Sequence, residues 1–240
     1  MAGATFFIIL SSTTFLRSYQ WQDDYHLAQY EAAHHPKSPA TLALLSNIAY
    51  KHQEYDVAEK AINQARVLLP TESSYAINSA VIAVLLNKPI SSELNDEILR
   101  KLRDNPFSTS TQIAFSHIST HLKNEAFKPI HPYFAKWLEV LVEKLGSTQR
   151  ASIYHYFLAK AYLATGNTLG AINSHQQAFN LNNTFINPLF EMGNIFLALG
   201  QAGNANIVLQ QIKQANTNPA LEKHYDKHIK ELEAAITSIE

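Results

Sequence analysis

The chain has 240 residues, 46% hydrophobic and only 16% charged, a composition with ample side chain for a core that excludes a disordered or fibrous protein. Its 19 Lys and Arg nearly cancel 20 Asp and Glu, leaving a formal charge of −1, so it lacks the electrostatic footprint of a nucleic-acid binder. The absence of Cys excludes disulfides, thiolate metal sites and cysteine nucleophiles, and 7 Gly with 9 Pro point to long helices rather than many tight hairpins.

In chain order, the first element is the run AGATFFIILSSTTFL from Ala2 to Leu16, which carries no charge. At about 1.5 Å per residue it covers roughly 22 Å, short of a hydrocarbon core about 30 Å thick. No Lys or Arg precedes it, as a secretory signal would require. Three readings stay open: the end of a transmembrane helix, an atypical signal, and a buried or interfacial helix. Arg17, Tyr19 and Trp21 follow directly and suit a lipid–water boundary; a hydrophobic first helix packed on the next would read the same way. Residues 1–20 are therefore expected to form a hydrophobic helix and 21–240 a helical solenoid.

A helix from about Asp23 to His34 comes next. Adjacent Asp23 and Asp24 diverge on a helix, which makes them a poor acid–base couple; they suit the cap and first turn instead. His34 and His35 lie before Pro36, where a cation meets the helix dipole favourably. Residues 39–71 carry Leu42, Leu45, Tyr55, Ala58, Ile62, Ala65 and Pro70 at helix-pair spacing.

Between 72 and 149 the register blurs while helical periodicity persists. Ala76, Ala80, Ala83, Val84 and Leu86 predict a helix ending before Pro89. Leu94, Ile98, Leu99 and Leu102 predict another, capped by Ser91 or Ser92 and closed before Pro106. Ser108 or Ser110 opens a third through Ile113, Phe115, Ile118 and Leu122. Phe134, Trp137, Leu138, Leu141 and Leu145 form a stripe that ends at Gly146. These make two degenerate helix pairs.

The strongest signal follows. Residues 152–185 lie on 186–219 without a gap at a shift of 34 residues. Leu158 then matches Met192, Ala159 matches Gly193, Tyr162 matches Phe196, Gly166 matches Gly200 and Ala171 matches Ala205. The small pair lets two helices approach closely, and the aromatic three residues on fills the space beside them. Gly166 and Gly200 end the first helix of each unit, where a left-handed residue costs Gly least. The last stretch, 219–239, alternates charge with Leu221, Tyr225, Ile229, Leu232 and Ile236, the pattern of an amphipathic capping helix.

This pattern resembles the tetratricopeptide repeat, a 34-residue helix–turn–helix unit. The resemblance covers 39–71, 152–185 and 186–219. In the first copy Ser46, Ala49 and Gln53 stand where small, aromatic and Gly residues are usual, and Gln53 leaves that inner turn least certain. The implied fold is an all-α solenoid of antiparallel helix pairs, roughly ten to twelve helices by pattern. The junction Arg17–Trp21–Asp23/Asp24–Leu27 before the first copy is similar to the membrane–repeat junction of bacterial multi-spanning proteins of the transmembrane and tetratricopeptide-repeat O-mannosyltransferase-like group. In that group glycosyl transfer belongs to the membrane part, which this sequence does not contain.

No Gly-rich phosphate loop, nucleophile elbow or paired-acid motif occurs, so the expectation is a protein without catalysis or cofactor. His117 with His121 and His224 with His228 share helix faces at i, i+4, but neither pair has the HExxH glutamate or an evident third ligand, so no metal is expected. The resemblance implies that first helices line a concave groove: Asn47, Tyr50 and Lys51; Ile153, Tyr156 and Lys160; Asn187, Phe190 and Asn194. Amides could pair with the backbone of an extended peptide and rings could cover its side chains; packing between repeats would use the same residues. A clamp for a terminal carboxylate would need Lys where Ala43, Tyr156 and Phe190 stand. The expected function is a protein-interaction scaffold, held at a membrane through residues 2–16 and facing the periplasm or lumen. Two alternatives are the accessory half of a membrane glycosyltransferase-like protein and a cytoplasmic adaptor.

Overall fold

The computed structural model describes Ser11 and residues 23–215 and 219–239, the side chains of 219–224 excepted. The hydrophobic helix expected over 1–20, with Arg17, Tyr19 and Trp21, lies outside the described residues apart from Ser11. Among the described residues there is no strand; the fold is all-α and built of repeated helix pairs. The α-helices are α1 (Asp24–His34), α2 (Pro39–Lys51), α3 (Tyr55–Leu68), α4 (Ser73–Leu85), α5 (Ser92–Asp104) and α6 (Thr109–His121). They continue as α7 (His131–Leu145), α8 (Ala151–Ala164), α9 (Thr168–Leu181), α10 (Asn187–Ala198), α11 (Ala202–Ala215) and α12 (Pro219–Thr237). Among the described residues no helix is long and apolar enough to cross a membrane. Two compact units form: residues up to Lys101 with Asn105–Ala114, and Leu102–Asp104 with Phe115 onward.

In the first unit the caps follow from sequence. Asp23 accepts the Tyr25 N–H at 2.9 Å, Ser38 Oγ accepts that of Thr41 at 3.3 Å ahead of Pro39, and Ser91 that of Leu94 at 3.2 Å; each satisfies an amide the helix itself leaves open. Ala28, Ala32, Leu42, Leu45, Ala61 and Ala65 form one buried cluster, and Ala49, Ala58, Ile62 and Ile82 another. Ala49 and Ala58 are wholly buried, and Ser46 Oγ donates to the Ala58 carbonyl at 2.9 Å. The serine in a small-residue position is thus a hydrogen bond between paired helices.

The end of α2 corrects the reading of Gln53 as an uncertain turn. Gln53 takes φ 63°, its N–H donates to Tyr50 O at 3.0 Å, and the Glu54 N–H reaches back to Ala49 O at 2.8 Å. This is a Schellman end built without glycine. Asn87 repeats it with φ 55°, through Asn87 N–H to Val84 O and Lys88 N–H to Ala83 O. Helix α4 therefore stands 34 residues after α2 at both ends, and the register that looked blurred after residue 72 is kept for one more first helix. It slips at α5, which starts 37 residues after α3, because the Lys88–Ser91 connection is longer.

The second unit centres on Phe115, Phe134 and Tyr154, with Phe115 5.7 Å from the Phe134 ring and 6.3 Å from that of Tyr154. Trp137, Leu138 and Ile130 are fully buried beside them in the chain. The inner turns pass through Gly166 (φ 80°) and Gly200 (φ 69°), with the same pair of hydrogen bonds as at Gln53. Ser152 Oγ donates to Ala178 O at 2.7 Å, as Ser46 does to Ala58. Leu189, Met192, Ala205, Val208, Leu209 and Ile212 pack with Leu232 and Ile236 of α12. A Cβ on Gly193 would come within 3.2 Å of Leu232 Cδ2, so this small residue makes room for the last helix.

Candidate functional site

The residues implied as a peptide surface fall in both units. On α2, Asn47, Tyr50 and Lys51 sit at i, i+3 and i+4 and share a face; Asn47 and Lys51 are exposed and Tyr50 is half-buried. The Tyr50 ring lies 5.9 Å from Tyr55, and burial, then Tyr55, pushes its phenol pKa up.

On α8, Tyr156 is the hub. Its ring meets Phe185 edge-on at 5.2 Å and His175 at 5.6 Å, and Lys160 Nζ stands 5.3 Å from its centroid, a cation over a π face. Its hydroxyl is 3.4 Å from Glu191 Oε1, toward which it donates. Burial, followed by the Glu191 charge, pushes its pKa up to about 12, so it remains a donor at neutral pH. His175 is fully buried, and neither ring nitrogen has a hydrogen-bond partner among the described residues. Burial, with a smaller contribution from Lys160, pushes its pKa down to about 4. Glu191 and His175 were not singled out in sequence: an acid in a helix interior and a histidine on a mixed face carry no signal until the fold brings them to Tyr156.

The α10 residues divide. Asn194 is exposed. Asn187 Oδ1 accepts from the Tyr225 hydroxyl at 2.9 Å, and Phe190 stacks on the Tyr225 ring at 5.5 Å with His228 edge-on at 5.8 Å. These two residues seat α12. Tyr225 was legible as part of the apolar stripe of the last helix, though not as the contact of Asn187.

Other candidates resolve locally. His117 and His121 rings lie 4.5 Å apart, but His121 Nδ1 donates to the His117 carbonyl at 2.8 Å and its ring stacks on Phe127 at 5.1 Å. Burial, then His121, lowers the His117 pKa. The His224 side chain lies outside the described residues. His34 Nδ1 donates to the Tyr30 carbonyl at 2.8 Å, tying the end of α1.

The expected divergence of Asp23 and Asp24 needs correcting. Asp23 is the N-cap, with extended φ −134° and ψ 119°, so it is not on the helix and its carboxylate can turn toward its neighbour's. One oxygen from each and a nitrogen of His52 lie within 4.8 Å of one another. Both acids already face imidazoles: His26 Nδ1 is 2.7 Å from Asp23 and His52 Nε2 is 2.9 Å from Asp24. The Tyr25 N–H, then the His26 bond, lowers the Asp23 pKa.

No family model and no curated protein matches the chain. Among solved structures it is similar to one titled "TPR2AB-domain:pHSP90-complex of yeast Sti1", with 12% identity and a TM-score of 0.41, covering 94% of this chain and 95% of that one. A likeness of this size assigns neither a family nor a ligand.

Proposed function

We propose that the chain is a tetratricopeptide-like scaffold without catalysis that binds extended polypeptide on its first-helix faces. In the second unit the binding face consists of Tyr156, Lys160 and Asn194; in the first it consists of Asn47, Tyr50 and Lys51. Asn187 and Phe190 contribute by holding α12 rather than by touching the partner. The observation that carries this reading is the setting of Tyr156. Its ring is fixed by Phe185, Lys160 and Glu191, so it offers a rigid aromatic anchor at low entropic cost.

The test is to pan displayed random peptides against the full chain and against a Tyr156→Ala/Asn194→Ala double variant. Enrichment lost in a variant that keeps its circular-dichroism melt supports the face; equal enrichment rejects it. A tether through Ala2–Leu16 is a second reading, favoured by the uncharged character of that run. Recovery of the whole chain in the salt-washed soluble fraction of its native cell would eliminate it.

A further inference from the structure

His175 stands where the matching repeat positions are aliphatic. It is the eighth residue of α9, as Ile62 is of α3 and Leu209 of α11, and all three side chains are buried. Ile62 and Leu209 fill the position with carbon alone. A neutral imidazole brings one donor and one acceptor nitrogen, and neither has a hydrogen-bond partner among the described residues. Leaving buried polar atoms unpaired is destabilising, and packing at this position does not require it.

The neighbours of the ring give that polarity a use. Tyr156 of α8 lies against it with ring centroids 5.6 Å apart, and Phe185 meets Tyr156 edge-on at 5.2 Å. Two charged groups face this pair. Lys160 of α8 stands 5.3 Å from the Tyr156 centroid, and its charge opposes a second cation at His175. Glu191 of α10 is 3.4 Å from the Tyr156 hydroxyl. Of the groups holding Tyr156, only the imidazole has an ordinary range of titration near neutrality.

We propose that His175 is a proton-operated latch on Tyr156, which seats the ring for capture while the imidazole is neutral and releases it once the imidazole is charged. An imidazolium has two N–H donors and no acceptor, and a buried charge without a partner is not tolerated. It must move toward water, which removes a wall of the Tyr156 seat, or draw Glu191 to itself, which removes the acceptor of the Tyr156 hydroxyl. Burial holds the pKa of the seated ring at about 4, against 6.5 for a free one. At about pH 5 protons therefore favour the unseated state by roughly thirtyfold relative to neutral pH. The latch is a property of the fold; its consequence, an extended polypeptide held at neutral pH and let go in acid, rests on the functional reading above.

The test needs no ligand at first. Fluorotyrosine is incorporated into the full chain, and the Tyr156 fluorine resonance, assigned with Tyr156→Phe, is followed from about pH 7 to about pH 5 beside far-UV circular dichroism. The expected result is a shift of Tyr156 while the dichroism is unchanged, absent from His175→Leu, which restores the aliphatic residue of the next repeat. His175→Gln, polar but not titratable, replaces the leucine variant if that chain does not fold. A Tyr156 resonance that stays fixed until the whole chain unfolds, or an equal shift in the variant, would overturn the latch. Peptides enriched by panning at neutral pH should then lose affinity in acid, by up to roughly thirtyfold, from the parent chain and not from the variant. Equal affinity at both pH values would overturn acid release, whereas a panning that enriches nothing counts against the binding face and leaves the fluorine result to judge the latch.

Discussion

Gln53 does at the end of α2 what Gly166 does at the end of α8. Both adopt positive φ, 63° and 80°, and in both the next residue's N–H reaches back five residues at 2.8 Å, to Ala49 and Tyr162. The hydrogen bonds match; the side chains do not. A left-handed conformation costs an L-residue roughly 1–2 kcal/mol that glycine does not meet. Gln53→Gly should therefore stabilise the first unit by about 1 kcal/mol, raising its melting temperature by roughly 2–4 °C. Asn87→Gly should gain less, because Asn tolerates this region better. Differential scanning calorimetry of the three chains decides it, and a Gln53→Gly chain that melts no higher would show the turn to be unstrained.

That comparison also shows why part of the fold was legible and part was not. The pair 152–185 and 186–219 announced itself because glycine marks both inner turns and no residue is inserted between them. The same turn at Gln53 and Asn87 is invisible to a search for glycine, since what is repeated there is a backbone angle. The α4 helix was read correctly as a helix and missed as an in-register repeat for this reason. At the candidate site, sequence spacing put Tyr156 with Lys160 and Phe190 with Asn194, since i, i+4 contacts are local. It could not show that Tyr225, 38 residues beyond Asn187, would take up Asn187 and Phe190, nor that Glu191 would receive Tyr156. Those pairings are set by how helices from different repeats stack.

His175 makes the second unit acid-sensitive. The ring is neutral in the folded state and has no hydrogen-bond partner among the described residues, with its pKa lowered from 6.5 to about 4 by burial and, less, by Lys160. Below pH 6.5 the unfolded chain binds a proton that the folded one refuses, so stability falls as pH drops from about 6.5 to about 4 and is fully present above that window. His117 and His155 are shifted in the same direction by burial. The His175 share is on the order of 3 kcal/mol across the window, at about 1.4 kcal/mol per pH unit. Urea midpoints at pH 7 and pH 5 should separate by less in His175→Leu than in the parent chain. An identical separation in both would assign the acid lability to other groups.

Lys101 poses the opposite problem in the first unit. Its side chain is 1% exposed and its ammonium pairs with Glu97 Oε1 at 2.7 Å, with the Glu72 carbonyl 3.5 Å away. Arg66 approaches the other Glu97 oxygen at 3.8 Å. Removing one partner of a buried pair strands the other charge, and it is replacement of the whole pair by apolar side chains that is often neutral. Here Glu97→Ala strands an ammonium that is 1% exposed, whereas Lys101→Met leaves a carboxylate that is 24% exposed and still has Arg66 beside it. Glu97→Ala should thus cost about 2–4 kcal/mol, while Lys101→Met should cost less than about 1 kcal/mol or stabilise. Equilibrium denaturation of the two variants reads the order directly. If Lys101→Met proved the more damaging, the pair would be a net source of stability rather than a buried charge made tolerable.

The last helix supplies a test of how α10 divides its labour. Phe190 stacks on Tyr225 and Asn187 accepts its hydroxyl, and Asn194 stands exposed one turn after Phe190. If Phe190 seats α12, Phe190→Ala forfeits an aromatic pair and part of a half-buried side chain, a loss of roughly 1–2 kcal/mol. Asn194→Ala, at an exposed position, should change stability by less than about 0.5 kcal/mol and weaken peptide capture instead. Tyr225→Phe isolates the Asn187 hydrogen bond, worth about 1 kcal/mol, while keeping the stacked ring. Thermal melts of the three variants, each paired with peptide panning, separate support from contact. Should Asn194→Ala unfold the unit while Phe190→Ala leaves its melt intact and abolishes capture, the assignment of the two residues must be exchanged, and α12 would be covering a binding surface rather than completing the core.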